Sequence, residues 1–241
     1  MFHVENADFI ADKLAAELLP NQEYREVLKN ALEGLERRMA ADGSTDGGRV
    51  EFDVDWNLRE QGGGGWYLSC ADNGDGMSRS QLEKYTTTLA VQGAGRSQSL
   101  RGNQGMGLKI SGPTRHKRGV AIRSMKNGER TMVQVGWDGR EYGLIPVGGN
   151  GELVTSVAAT AFPKFINEQG SGTVVTFFGN AEDDNTFVPP GKPRGWLLKY
   201  LHMRFMKLSS DRIEVVVRVP SGDEDAWPQT LVEAEVRMRG D

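Results

Sequence analysis

Arg49-Val50-Glu51-Phe52-Asp53-Val54-Asp55-Trp56 alternates apolar and polar residues, and after Gly62-Gly63-Gly64-Gly65 the chain resumes as Trp66-Tyr67-Leu68-Ser69-Cys70-Ala71 before breaking into Asp72-Asn73-Gly74-Asp75-Gly76. The alternation predicts a strand over 49–58 with Val50, Phe52, Val54 and Trp56 on one side, and the run over 66–71 reads as its partner. The four glycines read as a flexible hairpin tip rather than a domain linker. Asp72 then emerges at a strand end, where the chain turns.

Upstream, apolar residues recur at helical spacing from Asp8 to Ala41, with Pro20-Asn21 dividing two helices, the second over roughly 22–41. Downstream, 79–90 reads as a helix, Gln92-Gly-Ala-Gly-Arg-Ser-Gln-Ser99 is small and polar, and a helix is expected to begin near Gly105. Strands are expected over 119–125, 130–137, 152–158, 172–178 and 212–219, with Asn127-Gly128 as a hairpin turn and a helix over 192–207. The tail from Pro220 is more polar, with an edge strand near 230–238. This order lacks strict βαβα alternation, so the expected class is α+β: a two-layer α/β sandwich on a mainly antiparallel mixed sheet, helices on one face.

The 241 residues and 26.5 kDa fit one large domain, expected over 1–220, with 221–241 as an edge-strand extension or a link onward. A net charge of −4 excludes a general polycation, so nucleic-acid contact would need a local patch such as Arg115-His116-Lys117-Arg118 or the helix bearing Lys199, Arg204 and Lys207. Both are read chiefly as solvated faces. Cys70 is the sole cysteine, which excludes an internal disulfide and a multi-cysteine metal site. No apolar run is long enough for a membrane span and no leader pattern opens the chain, so a cytoplasmic location is the expectation.

Four stretches carry chemistry. Glu26 and Asn30 lie four apart on a helix and share one face, a carboxylate able to polarise water beside an amide oxygen able to hold a hard cation. Asp72, ionised, is an acceptor only, which fits the exocyclic amine of adenine; Gly74 and Gly76 allow close backbone approach to a base. A calcium loop starting at Asp72 is rejected by spacing, since Gly74 and Gly76 fall where ligands are required. Gly102-Asn103-Gln104-Gly105-Met106-Gly107-Leu108-Lys109 is a Gly-x-x-Gly-x-Gly run at a helix start, where backbone N–H groups and the positive dipole end meet phosphate, with Lys109 as an added cation. Thr173, opening an apolar strand, has a hydroxyl able to reach the adenine edge through water. Each stretch alone is weak; in this order they supply most of what an Mg-ATP site needs.

The arrangement resembles the GHKL superfamily, which comprises gyrase B subunits, ninety-kilodalton heat-shock chaperones, sensor histidine kinases and MutL, over about residues 20–220. Its members share the Bergerat ATP-binding fold. The resemblance implies Glu26 as general base, Asn30 as Mg²⁺ ligand, Asp72 as adenine-binding aspartate with Gly76 and Met77 beside the base, Gly102, Gly105 and Gly107 as phosphate-lid glycines, and Thr173 as the threonine after the lid. Within the superfamily, Arg25-Glu26-Val-Leu-Lys-Asn30 and Arg101-Gly102-Asn-Gln-Gly105-Met-Gly107 look closest to the topoisomerase VI B subunit, and Gly107-Leu108-Lys109 is similar to the MORC ATPases. Lys29, where an acidic residue is usual, and Glu33-Gly34 in place of Asp-Ala depart from the pattern.

The resemblance implies an ATPase switch: a lid at 86–104 closing over ATP, an N-terminal arm at 1–20 taking part in a nucleotide-dependent homodimer, and a lysine contributed by a downstream domain or partner subunit. The alternative is a module that binds adenine nucleotide without turnover. A third reading, a DNA-binding subunit, rests on the basic clusters alone.

Overall fold

The structure, a computed structural model, describes residues 19–43, 47–59, 65–87, 107–139, 141–147, 151–205, 212–218 and 235–238, with backbone alone at 107, 109, 110 and 235–238. Most of the expected arm at 1–20, the lid at 86–104 beyond Thr87, and most of the tail after 220 lie outside these residues.

Helix α1 (Gln22–Asp42) places Tyr24, Val27, Leu28, Ala31, Leu32 and Leu35 three and four apart on one buried stripe. Burying a large apolar side chain contributes roughly 1.5–3 kcal/mol, so the stripe, rather than helix propensity, holds the helix in place. It begins after Asn21, left-handed at φ 64°, where the Gln22 side-chain oxygen accepts the Leu19 N–H, and it stops at Gly43, φ 59°.

Strands β1 (Gly48–Val54) and β2 (Leu68–Asp72) form the expected antiparallel pair, with Val50 opposite Asp72. The alternation runs only to Val54. Asp55 leaves the strand and caps one helical turn, Trp56–Leu58, by accepting the Leu58 N–H at 3.2 Å, so Trp56 is not a strand residue. Helix α2 (Arg79–Thr87) opens on Ser78, whose N–H donates to Gln81 Oε1 while Ser78 Oγ accepts the Gln81 N–H, a reciprocal cap. Helix α3 (Gly107–Arg115) follows, then β3 (Val120–Lys126) and β4 (Glu129–Trp137), joined at Asn127-Gly128 with φ 51° and 80° as a type I′ turn requires.

Strand β5 (Tyr142–Ile145) and helix α4 (Lys164–Gln169) were not foreseen, and the strand expected over 152–158 shortens to β6 (Thr155–Ser156). Strand β7 (Gly172–Phe177), helix α5 (Trp196–Arg204), strand β8 (Ile213–Arg218) and strand β9 (Glu235–Met238) complete the order. Helix α5 starts four residues later than expected, with Gly195 at its N-cap and the Trp196 N–H held by the Pro193 carbonyl.

Among the described residues nine strands form one sheet in the order β5-β4-β3-β7-β2-β1-β8-β9, with β6 on β4. Every pair is antiparallel except β1 with β8. This is the expected α+β sandwich. Alternate residues (Val50, Phe52, Leu68, Cys70, Val120, Ile122, Val175, Phe177, Val215) face α1 and α5 in the main core. The reverse face carries a smaller cluster in which Phe162 and Ile166 cover Ala71, Met125 and Val174. There Arg123 and Asp55, both buried, form an ion pair that Thr176 joins through its hydroxyl. Among the described residues, no helix is long and apolar enough to cross a membrane.

Candidate functional site

Asp72 is the last residue of β2 and, by the period of two, shares the helix-facing side with Leu68 and Cys70. Its ladder partner on β7 is Thr173, which also pairs with Ser124 of β3. Directly opposed residues on one face lie about 5 Å apart, so sheet register brings Thr173 to Asp72 across a hundred residues of chain.

The turn after Asp72 is fixed by hydrogen bonds from four directions. Asp72 Oδ1 accepts the Gly74 N–H at 2.8 Å, and Ser171 Oγ donates to the Gly74 carbonyl at 2.7 Å. The Asp75 N–H donates to the Gly34 carbonyl on α1, and the Met77 N–H donates to Ser124 Oγ at 2.7 Å. Asn73 Oδ1 takes the Arg49 N–H. The glycines follow from crowding: a Cβ on Gly76, φ 58°, would strike the Met125 carbonyl, and one on Gly172 would strike the Asp72 carbonyl.

Between α1, this turn and the start of α3 lies a cavity open to solvent, lined by Asn30, Gly34 and Arg37 of α1, Asp72, Asp75, Gly76 and Met77 of the turn, Tyr85, Leu108, and Ile122, Thr173 and Val175 of the sheet, with Val27 and Ala31 at its helix wall. Of the residues singled out from sequence, Asn30, Asp72, Gly76, Met77, Leu108 and Thr173 meet on this cavity. Gly74 lies behind the turn, against α1. Glu26 is buried and bonded to Arg25 at 3.0 Å, one turn from Asn30, but is not part of the lining. Gly107 begins α3; Gly102, Gln104, Gly105 and Met106, and the side chain of Lys109, lie outside the described residues.

Sequence reasoning passed over Gly34, Arg37, Asp75 and Tyr85. Gly34 and Arg37 were available as the next positions, four and seven beyond Asn30, on the same helix face. Arg37 Nε and Nη2 donate to Asp75 Oδ2 and Oδ1 at 3.0 and 2.8 Å, a bidentate pair at the mouth.

Burial raises the Asp72 carboxyl to about 7; the Gly74 N–H opposes this, the neighbouring Asp75 adds to it, and Arg37 and Arg38 oppose it. Asp72 Oδ2 has no hydrogen-bond partner among the described residues, leaving one acceptor oxygen for a donor in the cavity. Among the described residues no group of three or more His, Cys, Asp or Glu side chains could hold a metal unaided. An amide such as Asn30 nevertheless suits Mg²⁺, which takes few protein ligands and fills its shell with water and phosphate oxygens.

The basic cluster expected as a solvated face is largely used internally: Arg115 Nε lies 3.4 Å from Glu23, His116 is buried, and Arg118 donates to the Tyr67 hydroxyl and the Ala181 carbonyl.

Residues 39–144 match the model of a family described as histidine kinase-, DNA gyrase B- and HSP90-like ATPase. The match takes in the Asp72 turn and the start of α3 and covers less than half of the chain; Glu26, Asn30 and Thr173 fall outside it. It supports the GHKL superfamily and, at that level, ATP binding and hydrolysis, usually with Mg²⁺. No curated protein matches the chain.

Proposed function

We propose that the chain binds Mg-ATP in the cavity beneath α1 and hydrolyses it slowly, as the ATPase part of a larger protein or complex. The observation that carries this reading is the meeting of Asp72, Thr173, Asn30 and Leu108 on one cavity from four separate elements. Asp72 Oδ2 accepts the exocyclic amine of adenine, and Thr173 sits beside it for a water-bridged contact. The α3 N-terminus presents backbone N–H groups to the phosphates. Asn30 offers its amide oxygen to the Mg²⁺ that the phosphates carry, and Glu26, one turn away, takes a proton from the attacking water. The lid at 86–104 would close over the nucleotide and, with the arm at 1–20, promote dimerisation; a lysine from a partner or a downstream domain would complete the phosphate contacts.

One observation favours a second reading, a module that holds adenine nucleotide without turnover: Glu26 is paired with Arg25 and set back from the cavity. Phosphate release separates the two. Glu26→Ala should leave ATP affinity nearly intact and lower turnover by ~10²–10⁴-fold, the usual contribution of a general base. Asn30→Ala should instead weaken Mg²⁺-dependent binding. Wild-type protein that binds ATP yet releases no phosphate with Mg²⁺ at high protein concentration would leave the binding module standing.

A further inference from the structure

Arg37 occupies a position that phosphate chemistry does not explain. Helix α1 rises 1.5 Å per residue, so the seven residues from Asn30 to Arg37 carry the side chain about 10 Å from the metal and phosphate end, past the level of Asp72. Its guanidinium is fixed along one edge by Asp75, and Asp75 is in turn anchored to α1 through its N–H to the Gly34 carbonyl. Those bonds use Nε and Nη2, so Nη1 and the planar faces are not spent on Asp75. The side chain is 36% exposed and lines the cavity.

Gly34 leaves a notch beside it. A Cβ built there would lie 3.6 Å from Arg37 Nη2, 3.4 Å from Asp75 Oδ1 and 3.9 Å from Asp72 Oδ1. The Asp72 carboxyl, through Oδ1, and the clamped guanidinium therefore both border the space that a side chain at Gly34 would take. A planar cation held edge-on by a carboxylate is well suited to stack on an aromatic ring, and a lysine cannot reproduce that plane.

We propose that Arg37, clamped by Asp75, is a nucleobase-positioning residue of this site, supplying the wall on which the purine ring stacks at the cavity mouth. This rests on the reading of the cavity as an adenine-nucleotide site. The same guanidinium favours the charged form of Asp72 and so strengthens its role as acceptor.

Calorimetric titration of adenosine, Mg-ATP and Mg-tripolyphosphate into wild type, Arg37→Ala, Arg37→Lys and Asp75→Asn tests it. The base wall requires Arg37→Ala to weaken adenosine and ATP alike, by about 5- to 30-fold, while tripolyphosphate binds as before. Arg37→Lys should recover little of the loss, and Asp75→Asn should fall between wild type and Arg37→Ala. The melting temperature without ligand should fall by no more than a few degrees in all three variants, since the pair is half-buried at the surface. Adenosine affinity unchanged in Arg37→Ala would overturn the inference alone, as would a loss confined to ATP and tripolyphosphate. Wild type that binds neither adenosine nor ATP would overturn the nucleotide reading and this inference with it.

Discussion

Asp72 concentrates the chemistry of the site in one carboxyl group. Burial favours its neutral form, and the Asp75 carboxylate adds to that; the Gly74 N–H and the two arginines of α1 pull the other way, leaving it to titrate at about 7. An exocyclic amine donating to Oδ2 favours the charged form, so ligand binding below that value should release a proton. Adenosine affinity is therefore expected to rise with pH, by at most tenfold per unit between about 5 and 7, and to level off above about 8. Asp72→Asn, which keeps a neutral acceptor, should bind more weakly and lose that slope. A flat profile in wild type, followed by calorimetry, would mean that Asp72 does not meet the ligand as an anion. The residue type and the strand-end position were visible in the sequence. Its buried surroundings were not, because Arg37 and Arg38 become neighbours of Asp72 only when α1 packs on the turn.

The element that fixes the site is the turn from Asp72 to Met77, and its glycines carry different duties. Gly76, at φ 58°, lies against the Met125 carbonyl, so Gly76→Ala combines left-handed strain with a backbone collision. A loss of about 2 kcal/mol or more is expected, seen as a drop of several degrees in melting temperature together with weakened ATP binding. A variant as stable as wild type would show that the turn relaxes freely. The alternation over β1 and the 3.6-residue period of α1 made these elements legible, because each buries one face along its whole length. Trp56 broke the rule, since Asp55 caps a helical turn at the point where alternation alone would continue the strand. Strand β5 is half-buried throughout and helix α4 buries Ile166 on a six-residue helix, too little periodic signal for either to be read in advance.

At the scale of the whole molecule, the sheet brings residues 30, 72, 108 and 173 to one cavity, a closure that order along the chain suggested and only register could fix. The fold also buries several acids. Desolvation raises Glu23 to about 7 against the pull of its backbone N–H, Arg115 and Lys192, and raises Asp53 to about 6, alongside Asp72 at about 7. From about pH 4 to these values the native chain holds protons that the unfolded chain has released, so stability falls as pH rises through that window. His116, lowered by burial to about 4, works in the opposite sense up to about 6.5, with one proton against as many as three. Ligand-free protein should therefore resist urea better at pH 5.5 than at pH 7.5, and Glu23→Gln should shrink the difference; a midpoint that rises with pH would contradict the assignment of these buried acids. Under the proposed function, Asp72 is what gives this cavity its preference for adenine. Calorimetric titration of Mg-ATP and Mg-GTP into wild type and Asp72→Ala tests it most directly. Wild type should bind ATP more tightly than GTP, and Asp72→Ala should lose roughly 1–3 kcal/mol of ATP binding; equal affinity for the two nucleotides, or ATP binding untouched by the substitution, would contradict it.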